Sequence, residues 1–182
     1  MTLVQIVARG EEPDGYLDSA PLCPHCRCLR DSDWVSPTYR VRNRHDSVYS
    51  GGGVLLVSQR FIEAVREQAV GDVGCRFEQL AVDPQYFALV VDRVLEVDRA
   101  VGELEVGGEV CPVCGRQSTY GWAERFIPPA DDVREFARSD IEYGGIPTGP
   151  YPSAQRPRVY VDDDLGRALR ALKVCQIRPL GR

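Results

Sequence analysis

Lysine is almost missing from this chain of 182 residues: Lys173 stands alone, and nearly all of the 22 basic side chains are arginine. Long apolar runs are missing too. Gln5, Arg9 and Asp92 are among the polar residues that interrupt every stretch before the roughly 18 residues that a membrane-spanning helix needs. Met1 to Glu12 has no basic start, no continuous apolar segment and no small-residue cleavage site, so a secretory leader is not expected. The reading is a cytoplasmic protein with no membrane partner. A basic stripe is absent as well. The net charge is −5, with acidic clusters at Asp131-Asp132 and Asp162-Asp163-Asp164. That balance argues against a general nucleic-acid binder and leaves two readings for the last cluster: an acidic face for a basic partner, or a solvated helix start. Histidine occurs only as His25 and His45, so a Cys-His-Asp catalytic set would have to use one of these. Ser50-Gly51-Gly52-Gly53 precedes a strand and lacks the Gly-Lys-Ser/Thr of a phosphate loop, so it reads as a tight turn or bulge.

What the chain does have is cysteine, seven in all. The odd count, the missing leader and two pairs spaced as Cys-x-x-Cys favour metal over disulfides. Cys23-Pro-His-Cys26 and Cys111-Pro-Val-Cys114 each place two thiols on one tight turn, and two such turns face to face make a tetrahedral four-thiolate zinc site. The expected metal ligands are therefore Cys23, Cys26, Cys111 and Cys114. Four thiolates leave no open position, so the zinc is expected to be structural. Cys28 is an internal rival to Cys26, and His25 lies inside the first knuckle. Gly115 supplies the positive φ that such turns often need, whereas Arg27 stands at the equivalent place in the first knuckle. Cys75 and Cys175 read as small buried packing residues.

A weak internal repeat organises the rest. Val54 to Arg66 aligns with Arg158 to Arg170, matching Val57 with Val161, Ser58 with Asp162, Phe61 with Leu165 and Ala64 with Ala168. Cys75 to Leu80 then parallels Cys175 to Leu180. Each copy predicts a strand, a helix capped by Ser58 or Asp162, and a returning strand. The helices are expected to bury Phe61, Ile62, Val65 and Ala69 in one copy and Leu165, Ala168, Leu169 and Leu172 in the other. Gln85 to Val97 and Glu103 to Val110 predict an antiparallel pair between them, and Leu3 to Ala8 a further strand. The expected architecture is α+β: a single domain over 1–182 with a pseudo-repeat at about 22–98 and 109–180. Two strand-helix-strand halves flank a central antiparallel sheet, stapled by a zinc-ribbon-like four-cysteine site.

These knuckles, their long separation and the strand-helix-strand segment after each resemble the double-CXXCG-motif proteins of myxobacteria and other bacteria. The similarity is carried most by Gly53-Val-Leu-Leu-Val-Ser-Gln-Arg-Phe-Ile-Glu-Ala-Val-Arg66 and Gly74-Cys-Arg-Phe77, and extends over Leu22 to Leu180. Arg27 departs from the family's glycine after both knuckles. That family is regarded as immunity proteins of polymorphic toxins. The resemblance therefore implies a non-enzymatic protein, with no catalytic residues, that neutralises a cognate protein toxin by occlusion. A zinc-ribbon adaptor is the alternative, touching nucleic acid through Tyr39, Arg40, Arg42 and Arg44, with Trp34, Tyr49 and Trp122 as further candidate aromatics.

Overall fold

The computed structural model describes residues 3–11, 19–68, 73–100, 104–121, 126, 136–146 and 155–180. Within them run β1 (Leu3–Val7), β2 (Gly10–Glu11), β3 (Ser47–Tyr49), β4 (Leu55–Ser58), α1 (Gln59–Gln68), β5 (Cys75–Gln79), β6 (Tyr86–Val91) and β7 (Val94–Leu95). There follow β8 (Leu104–Gly107), β9 (Ser118–Gly121), β10 (Ala137–Tyr143), β11 (Arg156–Asp162), α2 (Asp163–Ala171) and β12 (Gln176–Pro179). The class is α+β, as expected. Ala69, Trp122 and Asp131-Asp132 lie outside the described residues.

The helices form for the local reasons visible in the sequence. Asp162 caps α2, its carboxylate accepting from the N–H groups of Asp164 and Leu165 at 3.0 Å each. Asp163 and Asp164 occupy the first turn, where they pair with Arg167 and oppose the helix dipole favourably. The acidic cluster is thus a helix start. The lone lysine closes this helix: Lys173 takes φ 58° and donates to Arg170, while Val174 donates to Leu169. That is the pair of bonds that satisfies the last carbonyls of a helix. In α1 the Ser58 hydroxyl accepts from Phe61 N–H and itself donates to Asp46. Phe61, Ile62 and Val65 are buried, as are Leu165 and Leu169. Two expected core positions differ: Ala168 is only half-buried and Leu172 is exposed. Leu172 is the C-cap, beyond the last turn that packs on the sheet.

Both strand-helix-strand segments exist, but neither completes a sheet alone. One five-stranded sheet has the order β2-β3-β4-β6-β5 and the other β7-β10-β11-β1-β12. In the first, β6 lies between β4 and β5 and is antiparallel to both. In the second, β1 lies between β11 and β12, again antiparallel to both. The outer pairs correspond as well: β3 and β10 are antiparallel to β4 and β11, and the short β2 and β7 are parallel to β3 and β10. The two sheets match strand for strand, with β6 as the fourth strand of the first and β1 as the fourth strand of the second.

This overturns the expected central antiparallel sheet. Among the described residues, Gln85 to Val97 does not pair with 104–110; β6 enters the first sheet, and β8 pairs with β9 as a separate hairpin. The physical reason is burial. Five of the six residues of β6 are buried, so it needs a neighbour on each edge and cover on both faces, whereas β8 has no buried residue.

One apolar cluster links both five-stranded sheets and both helices. Val4, Ile6 and Val161 from one sheet share it with Leu55, Val57 and Leu89 from the other and with Phe61, Val65, Leu165 and Leu169 of the helices. Gly166 lets α2 lie close on its sheet: a Cβ there would come within 2.4 Å of Val4 Cγ2. The turn at Ser50 to Gly53 is tight, as expected, with Gly53 at φ 84° and its N–H donated to Ser50.

Candidate metal centre

The two knuckles fold by the same bonds. Cys23 N–H donates to Cys28 O and Arg27 N–H to Cys23 O, both at 2.9 Å. In the second, Cys111 N–H donates to Arg116 O at 2.8 Å and Gly115 N–H to Cys111 O at 2.9 Å. Closing either turn requires a left-handed residue after the second cysteine. Gly115 adopts it without strain at φ 70°, and Arg27 adopts it too, at φ 59°. The geometry of the first turn is therefore intact despite its arginine.

These turns aim four sulfurs at one point. Cys23 and Cys111 Sγ are 3.8 Å apart, Cys26 and Cys114 Sγ 3.5 Å, and all four lie within 4.8 Å of one another. A tetrahedron with metal–sulfur bonds of ~2.3 Å has edges of ~3.8 Å, so the 3.8 and 3.5 Å separations are compatible with a single shared ion. Three of the thiols are buried and Cys114 is half-buried. Cys28 is buried beside them yet falls outside the four, and His25 is exposed. The expected four cysteines are the ones brought together.

Their electrostatics divide the set. Backbone N–H groups of the first knuckle, chiefly that of Cys26, pull the Cys23 thiol down to about 6. At Cys111 burial pushes upward, but the N–H groups of Cys114 and Val113 outweigh it and the thiol ionises more readily than usual. Burial holds Cys26 up at about 11 and Cys114 at about 12, each beside sulfurs that would already carry charge. Four thiolates this close repel one another, and a divalent cation is the group that relieves the repulsion.

Sequence reasoning assigned no role to the residues that brace the knuckles. Arg116 is largely buried; it pairs with Glu142 on β10 and donates to the carbonyls of Leu29 and Arg30 beyond the first knuckle. Arg138 on β10 holds Asp33 in the same loop at 3.0 Å. Gln155 is buried and donates to Gln117 and Gly144, pinning the far side of the β8–β9 hairpin. The position of Arg116 directly after Cys-x-x-Cys-Gly was the available signal.

The remaining candidates separate. Cys175 is buried and its thiol is pushed up to about 12 by that burial, so it stays protonated as a packing group. Cys75 is half-buried against the main core. Tyr39 and Val41 are buried against Leu56 and Ala88, so Tyr39 offers no stacking face. Arg44 pairs with Asp83, Arg40 and Arg42 are exposed, and Tyr49 lies under the Arg156 guanidinium. No helix of the described residues is long and apolar enough to cross a membrane. Compared with protein-family models, curated proteins and solved structures, the chain matches none.

Proposed function

We propose that this chain is a zinc-stapled, non-enzymatic binding protein of the toxin-immunity type, acting in the cytoplasm on a cognate protein toxin. The observation that carries the first part is the convergence of four cysteine sulfurs, two pairs at 3.8 and 3.5 Å and all four within 4.8 Å of one another. Zinc suits an all-thiolate tetrahedral set better than oxygen-seeking ions do. All four positions are filled by protein, so the ion holds shape and activates no water. The work then falls to the surface, and the motif resemblance assigns that work to toxin neutralisation. The acidic balance suits a basic target such as a nuclease.

The strand-for-strand match of the two sheets supports reading the chain as a duplication in one domain. On that reading the repeat starts earlier than the expected bounds near 22 and 109, at β1 and β6, and these strands exchange between the halves. The zinc then staples halves that are already interlocked. The nucleic-acid alternative is weakened because Tyr39 is buried.

The test is co-expression. Cells carrying the toxin-like product of the adjacent upstream gene should survive only when this chain is present, and the two proteins should co-purify. Survival without it, or no complex between the purified pair, would sink the proposal.

A further inference from the structure

The two matching sheets differ most in what they build around their knuckles. The first knuckle is framed by a single bridge between Leu22 and Leu29, the second by the β8–β9 hairpin. This hairpin and its tip carry four of the chain's exposed large apolar side chains: Val106 at 56%, Val110 at 55%, Val113 at 52% and Tyr120 at 49% exposure. Nothing lies within 4 Å of where a Cβ would stand at Gly107 or Gly108, so this stretch is open.

The backbone of β8 is open in a specific way. Val106 faces Thr119. Thr119 donates its N–H to Gly144 O at 3.1 Å and accepts from Gly144 N–H at 3.0 Å, using both groups on the side away from β8. Val106 and Thr119 are therefore a non-hydrogen-bonded pair, and Val106 must point its own N–H and C=O outward. Leu104, opposite Gly121 and two residues back, repeats this. No strand pairs with that edge among the described residues. The other sheet edges are guarded: β12 ends in Arg178-Pro179, β5 carries Arg76 and Glu78, and β2 and β7 have only two residues each. β8 has neither lysine nor proline.

We infer that the outer edge of β8 is a strand-addition site for an extended, cationic segment of a partner protein. Charge decides the occupant. Glu105 and Glu109 are exposed and form no ion pair among the described residues. Arg116, the cation within the same stretch, is turned inward onto Glu142. A second copy of this chain would bring these carboxylates against their own like. A strand alternating apolar residues with Lys or Arg would pair its backbone with Leu104 and Val106, its cations with Glu105 and Glu109, and its apolar side chains with Val106. The second knuckle fixes the hairpin tip, so the edge is held ready before the partner arrives. This rests on the binding-protein reading above and names the surface that performs it.

The test uses the full-length, zinc-loaded protein with a synthetic ten-residue peptide alternating valine and lysine, and a control with glutamate for lysine. The lysine peptide should bind and slow amide hydrogen exchange at Leu104 and Val106, while the glutamate peptide should not. Val106→Pro removes an outward N–H that β9 does not use, so it should weaken binding at least tenfold with metal content and melting temperature little changed. The double variant Glu105→Lys, Glu109→Lys should weaken it similarly without touching the backbone. Absence of binding, protection elsewhere, equal binding by Val106→Pro, or self-association through β8 would each overturn the assignment. Because the peptide replaces the toxin, this outcome is independent of whether the chain confers immunity.

Discussion

Arg27 and Gly115 hold the same backbone conformation at the same step of the two knuckles, φ 59° and 70°, and each donates its N–H to the first cysteine of its turn. One of them can do this freely and the other cannot. A left-handed conformation costs a residue with a Cβ about 1–2 kcal/mol. Arg27→Gly should therefore raise stability by roughly 1 kcal/mol, and Gly115→Ala should lower it by a similar amount although the space around it is open. Denaturant unfolding of the metal-loaded protein measures both.

Metal removal should unfold the knuckle region. Purified without chelator, the protein should contain one zinc per chain, and Cys111→Ser or Cys114→Ser should lose it together with cooperative melting. Elemental analysis with thermal unfolding checks this. Full stability in a metal-free sample would show that the four thiols pack without an ion.

Cutting the chain between Ala81 and Val82, both exposed, should leave two fragments that do not fold alone. Each lacks a central strand supplied by the other: the first needs β6 and the second needs β1. Mixed in equal amounts with zinc, they should recover the native circular dichroism and elute as one species of full mass. Independent folding of either fragment would show that the strand from the other fragment is dispensable.

Gly166→Ala should destabilise by about 1–3 kcal/mol, the usual cost of overpacking. The added carbon would come within 2.4 Å of Val4 and 3.4 Å of Val161. Paired with Val4→Ala, the cost should be smaller than the two single changes added together, which a double-mutant cycle on melting data would reveal.

Alkaline pH should weaken the fold through Cys175. Its thiol is raised from 9.0 to about 12 by burial, so the folded state keeps the proton that the unfolded chain releases first. The stabilisation is complete below pH 9 and is lost as pH rises through about 12. Cys175→Ala should flatten that part of the stability profile, at the cost of a small cavity and lower stability at neutral pH.

Features under short-range control were legible in the residues alone. Cys-x-x-Cys turns, the Ser58 and Asp162 caps, and the helical spacing of Phe61, Ile62 and Val65 all act over a few residues, and each appears where expected. Even the four cysteines that converge were legible, because two knuckles need one another to complete a tetrahedron. Which strands sit side by side was settled by long-range packing. The run at Tyr86 to Val91 announced a buried strand but not its neighbours, since hydrogen bonding between strands is indifferent to sequence distance. The placement of β6 in the first sheet and of β1 in the second therefore left no local mark. Neither did the open edge of β8, whose outward N–H groups follow from the pairing of Thr119 with Gly144.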